Sequence, residues 1–192
     1  MVDPVADERD GLLKYLDHQR GLLRLTAYGL TDEQARLTPT ASTLSIGGLI
    51  KHLAVAEENW TVYTVGGKQR PDNTMADRNK RHRAGFLMGP DETLAGLLDN
   101  YAAVARRSDE ILTALDLDHP VPVPQNVPWY PDDLKFWSIR WVLLHLIQET
   151  ARHAGHADII RESIDGATSV PLMAAAENWV ESGWVTPWRK GS

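Results

Sequence analysis

Pro120, Pro122, Pro124, Pro128 and Pro131 all fall between Asp116 and Trp137. Each proline fixes its own φ and lacks an N–H, so no helix runs through this segment, which reads as an extended crossover on the surface. On both sides of it the apolar residues return with helical period. From about Asp7 to Tyr28, Leu12, Leu16, Leu23 and Ala27 lie close to one face and leave Asp17, Arg20 and Arg24 to water. Gly29 follows where a left-handed cap belongs; Thr31 and Gln34 make a capping box for a short turn that Pro39 ends. Ser45 is a candidate N-cap for a second long helix, running to about Val65 and stopped by Gly66-Gly67. A third begins after Pro90, with Asp91 and Glu92 in its first turn, and carries Leu94, Leu97, Leu98, Tyr101, Ile111 and Leu115. Ser138 opens a fourth that continues to about Ile164 and ends at Asp165-Gly166, and Pro171 suits the first turn of a short fifth through Val180.

Four long helices, one crossover and no alternating strand pattern predict an all-α four-helix bundle with short accessory helices. The chain has 192 residues, enough for one core, so residues 1–192 read as a single domain. The helical pattern lapses from Gly66 to Gly89. Within 66–83, six cations (Lys68, Arg70, Arg78, Lys80, Arg81, Arg83) stand against Asp72 and Asp77, giving a local charge of +4 in a chain of net charge −6. This segment reads as a solvated, mobile loop. The acidic balance and the absence of a basic, aromatic face argue against nucleic acid. Met1 to Arg9 lacks the basic start and apolar run of a signal peptide, and no apolar run is long enough to cross a membrane, so the expected place is the cytoplasm. With no cysteine there is no disulfide, thiolate metal site or cysteine nucleophile.

Chemistry concentrates on the fourth helix, in His145-Leu-Ile-Gln-Glu149-Thr-Ala-Arg-His153-Ala-Gly-His156-Ala-Asp158. At about 100° per residue, positions 145, 149, 153 and 156 form one polar stripe. Trp141, Leu144, Ile147, Ala151 and Ile159 occupy the opposite face, which is expected to turn to the core. A solvated face normally uses Lys and Glu. Three imidazoles and a carboxylate are instead donors for zinc, iron and nickel. Residues i and i+4 are about 6 Å apart along the axis, so Glu149 and His153 can share one ion, while His145 and His153, about 12 Å apart, cannot. A third donor must come from another helix. His52, in Leu49-Ile-Lys-His52-Leu-Ala-Val-Ala56, has the small neighbours Gly48 and Ala56 and room to reach across a bundle. Weighed alone, a single histidine is more often a hydrogen-bonded core residue, and the stripe could equally be a solvated face or a subunit contact.

His52-Leu-Ala-Val-Ala-Glu57-Glu-Asn-Trp60 paired with Glu149-Thr-Ala-Arg-His153-Ala-Gly-His156-Ala-Asp158 resembles the DinB/YfiT-like superfamily, and within it the branch of mycothiol-dependent S-transferases and maleylpyruvate isomerases. The similarity runs along nearly the whole chain. It implies a four-helix bundle whose metal is held by a histidine of the second helix and two ligands four residues apart on the last long one: His52, Glu149 and His153. Many members have histidine at both of the latter positions. Glu149 matches the isomerase-like variant, and its carboxylate adds negative charge at the ion.

The resemblance further implies a divalent metal, zinc first with nickel or iron as alternatives, that activates a low-molecular-weight thiol such as mycothiol for attack on an electrophilic small molecule. A thiol-dependent S-transferase or isomerase follows. Arg152, Arg161 and Tyr63 are candidate contacts for the cosubstrate, and His156 is the candidate for a catalytic role beyond the ligands. Trp179, Trp184 and Trp188 offer a surface for a homodimer. Two other readings stay open: a metal-dependent hydrolase activating water, with His156 or His145 as base, and a non-catalytic metal-binding or stress protein.

Overall fold

The Asp10 N–H donates to Asp7 Oδ1 at 2.9 Å, and this cap starts α1 (Glu8–Thr26). The structure, a computed structural model, describes residues 2–70, 74–124, 130–131 and 133–191. α2 (Asp32–Arg36) opens on the predicted Thr31–Gln34 capping box. Ser45 caps α3 (Ile46–Glu58), accepting from the Gly48 N–H. The later elements are α4 (Met75–Gly85), α5 (Leu94–Thr113), α6 (Ile139–Asp165), closed by left-handed Gly166, and α7 (Ser169–Ala176).

α1, α3, α5 and α6 are the four long helices of an all-α bundle. α1 lies along α6, α3 packs against α5, and α3 also meets α6. One core cluster gathers Leu23, Leu49, Ile50, Leu53, Tyr101 and Ile160; a second gathers Leu16, Leu112, Val121, Trp137, Leu143 and Leu146. No helix among the described residues is long and apolar enough to cross a membrane.

The structure departs from the sequence reading in several places. The crossover contributes a two-stranded antiparallel ribbon, β1 (Pro120–Pro122) and β2 (Phe136–Ser138), because Val121 and Trp137 are buried opposite one another and anchor it to the second core cluster. Pro128 lies outside the described residues. The segment expected to be a loop holds α4. Its helicity comes from its start: Thr74 Oγ1 accepts from the Asp77 N–H and donates to the Asp77 carboxylate at 2.7 Å. Asp91 and Glu92 precede α5 rather than forming its first turn; Thr93 is the cap, and Glu92 pairs with Lys51 of α3 at 2.8 Å. The second long helix finishes as a π-helical segment (Asn59–Val65), in which the Gly66 N–H reaches back to the Thr61 carbonyl.

Two face assignments also change. Arg20 is buried, because Glu57 and Asp109 face α1 at that position and take its guanidinium. On α6, Trp141, Leu144 and Ile159 are 37%, 52% and 60% exposed, and Trp141, one turn before His145, lies on the side of the polar stripe rather than opposite it, while Val142, Leu143, Leu146, Ala154, Ala157 and Ile160 line the core. A helix wedged between two neighbours buries a wide stripe, and here that stripe takes in His153.

Candidate metal centre

Gly48 lies one turn before His52 on α3 and has no Cβ; one added there would overlap the Phe86 carbonyl just past α4. That close approach sets the Phe86 ring flat on the His52 imidazole, with centroids 3.7 Å apart and planes 17° from parallel. His52 is thereby buried, and its Nε2 has no hydrogen-bond partner. Opposite it, Glu149 and His153 project from consecutive turns of α6. Glu149 Oε1 is 3.2 Å from His153 Nε2 and 3.6 Å from His52 Nε2, and the three donor atoms lie within 4.8 Å of one another.

This geometry fits a divalent ion. Ligand atoms about 2.0–2.1 Å from a tetrahedral ion stand roughly 3.3–3.5 Å apart, and the observed 3.2 and 3.6 Å bracket that spacing. A buried polar atom without a partner is costly, and a cation would satisfy His52 Nε2. The His153–Glu149 contact holds the carboxyl far below the usual carboxylate range, with His52 adding to the effect from beyond hydrogen-bond distance. Burial lowers His52 below the ordinary imidazole value, against the opposing pull of Glu149. Near neutral pH His52 is thus uncharged and Glu149 ionised, as metal ligands must be.

The other expected residues fall into distinct places. His156 Nδ1 is 3.3 Å from His153 Nδ1, on the side of the ring away from the cluster, where it can fix the His153 orientation. His145 lies outside the cluster, stacked on Trp141. Arg152 is exposed on α6, and Tyr63, on the π-helical segment, has the guanidinium groups of Arg70 and Arg81 over its ring at 5.7 and 5.8 Å. Arg161 is away from the cluster and fully buried. It donates to both Asp165 carboxylate oxygens at 2.9 Å and to the carbonyls of Thr26 and Tyr28, and it covers the Trp188 ring. Trp188 thus packs within the chain, whereas Trp184 is almost fully exposed.

Phe86 and His82 are the neighbours that sequence reasoning missed. The His82 ring stands edge-on to His52 at 5.7 Å. Both come from the segment read as a loop, and the Thr74–Asp77 cap was the signal that a helix starts there.

The profile of the mycothiol S-transferases matches residues 11–166, a span that holds α3, α5, α6, all but the first turn of α1, and the three donors. The chain belongs to this family. Its bundle is the DinB/YfiT-like fold. A crystal structure of a conserved protein from Enterococcus faecalis is similar at TM-score 0.62 and 17% identity, covering 86% of this chain and 100% of that one, and so shares the fold. No curated protein gives a significant match.

Proposed function

We propose that this family member transfers a low-molecular-weight thiol, mycothiol, to an electrophilic small molecule at a divalent-metal centre formed by His52, Glu149 and His153. The observation that carries the reading is the convergence of two imidazole nitrogens and one carboxylate oxygen from two helices, around a buried nitrogen with no partner. Zinc suits a donor set of two nitrogens and an oxygen; nickel and iron accept it as well. A divalent ion supplies a lowered thiol pKa, hence a nucleophilic thiolate at neutral pH.

The chain's own residues do the rest. His52 offers its nitrogen unprotonated because it is buried under Phe86. Glu149 brings one negative charge, and His156 holds the His153 ring in place. With no cysteine in the chain, the attacking sulfur arrives with the cosubstrate. Such thiols are kept reduced in the cytoplasm, which is where the reading places the protein.

The test is product formation by metal-loaded protein with a halogenated or unsaturated acceptor, with and without mycothiol, bacillithiol or glutathione. Turnover should require both metal and thiol and should favour mycothiol, since the protein surface must recognise the remainder of that molecule. Ester or amide hydrolysis at this site without any thiol would replace the transferase reading with a hydrolase. Silence with every thiol and acceptor would leave a non-catalytic metal protein.

A further inference from the structure

Trp137, Trp141, His145, Glu149 and His153 follow one another at four-residue intervals. The last four lie on α6, where such positions form a single column; Trp137, on β2 just before the helix, continues it, and the first three are aromatic rings laid parallel. Trp137 stacks on Trp141 with centroids 4.7 Å apart and planes 8° from parallel; Trp141 stacks on His145 at 5.2 Å and 7°. Trp60, from the π-helical segment that continues α3, leans on all three at 5.0, 5.4 and 4.7 Å. Local widening of a helix into π turns often marks a functional site. The stacked rings thus run from the ribbon to His145, one helical turn from Glu149 of the donor cluster.

Trp137 is buried and anchors the column, but Trp141 is 37% exposed although it is a large aromatic. Neither tryptophan carries charge, and burial lowers the tendency of His145 to take a proton. The nearest cation in sequence, Arg140, is held by Glu8 and Asp118. The two tryptophans thus offer uncharged faces, and stacked rings gain by covering more flat apolar surface.

We propose that this aromatic shelf is the acceptor subsite, and that the electrophiles it takes are flat, uncharged aromatic molecules laid beside the cluster. The proposal rests on the transferase reading for the reaction, though not for the binding itself. With 1-chloro-2,4-dinitrobenzene as acceptor, the thiolate sulfur supplies the electron pair of the new C–S bond. Chloride leaves with the pair of the broken C–Cl bond, and the thiol proton passes to water.

Binding is tested by calorimetric titration of metal-loaded protein with 1,3-dinitrobenzene, which is flat, uncharged and unreactive towards thiols. Saturable binding is expected. It should weaken about tenfold in Trp141→Ala, at unchanged metal content and helical circular dichroism, and be largely restored in Trp141→Phe. No saturable binding to the wild type, or equal binding by wild type and Trp141→Ala, would overturn the shelf. In turnover, the preference for 1-chloro-2,4-dinitrobenzene over iodoacetamide should fall about tenfold in Trp141→Ala. Equal losses for the two acceptors would mark Trp141 as structural and also overturn the proposal. If the transferase reading itself fails, no thiol-dependent product forms from either acceptor while 1,3-dinitrobenzene still binds in a Trp141-dependent manner.

Discussion

Among the described residues, His52 Nε2 and Tyr101 Oη are the buried side-chain polar atoms without a hydrogen-bond partner, and of the two it is His52 Nε2 that faces a carboxylate held ionised. If a divalent ion is what this atom is built for, then His52→Ala or His153→Ala leaves two protein donors, too few to retain zinc through purification. Elemental analysis should find about one ion per wild-type chain, a large loss in either variant, and no loss in His145→Ala, whose ring stacks on Trp141. Equal metal in the wild type and both alanine variants would sink the assignment. The same imidazole predicts a pH effect in the chelator-treated protein. Its folded pKa is lowered from 6.5 chiefly by burial, so between that lowered value and 6.5 the unfolded chain binds a proton that the folded chain refuses. Stability then falls as pH drops below about 6.5 and is level above it. Melting curves from pH 7.5 to 5.5 should show the decline, and His52→Leu should make it shallower. It should not abolish it, because burial lowers His145 and His156 in the same direction. A His52→Leu slope as steep as the wild type's would refute this account.

Between elements, the decisive contact is that of α3 with the end of α4. Gly48 admits the Phe86 carbonyl, and Phe86 in turn lies on His52. Gly48→Ala must push the backbone at Phe86 away. Overpacking of this kind costs about 1–3 kcal/mol, and for a chain of this size each kcal/mol lowers Tm by roughly 2–4 °C. The variant should melt lower and also bind metal less tightly, since His52 loses its cover; a lower Tm with unchanged metal affinity would separate the two roles. The sequence made Gly48 look like room for His52, but it could not say that another backbone would fill that room. The Glu149–His153 pair was legible because spacing on one helix is fixed by 3.6 residues per turn. The core-facing side of α6 was not, since a helix with Trp141, Leu144 and Ile159 on one side and Val142, Leu143 and Leu146 on another has two apolar faces, and only the neighbours choose between them. α4 was hidden for a different reason. Its composition is strongly polar, so it gives no apolar period, and it is held from its cap and by Arg81 to Glu58.

Across the whole molecule, two buried arginines tie the bundle together, and neither shows itself in a hydrophobic pattern. Arg20 joins α1 to Glu57 of α3 and Asp109 of α5. Arg161 joins α6 to the end of α1 and to the C-terminal segment through Trp188. From sequence alone Arg161 was a candidate for holding the cosubstrate, but it lies two turns past His153. Eight residues along a helix is about 12 Å, and the guanidinium already meets Asp165 and two carbonyls. Arg161→Ala would leave that carboxylate and those carbonyls without their donor. Removing one partner of a buried pair typically costs about 3–5 kcal/mol, which here corresponds to a fall in Tm of roughly ten degrees or more. Metal content per folded chain should stay at the wild-type level, because Arg161 makes no contact with His52, Glu149 or His153. The opposite pattern, an unchanged Tm with a large rise in the KM for thiol, would show that Arg161 leaves its pocket to meet the cosubstrate and that the tie between α6 and α1 is dispensable.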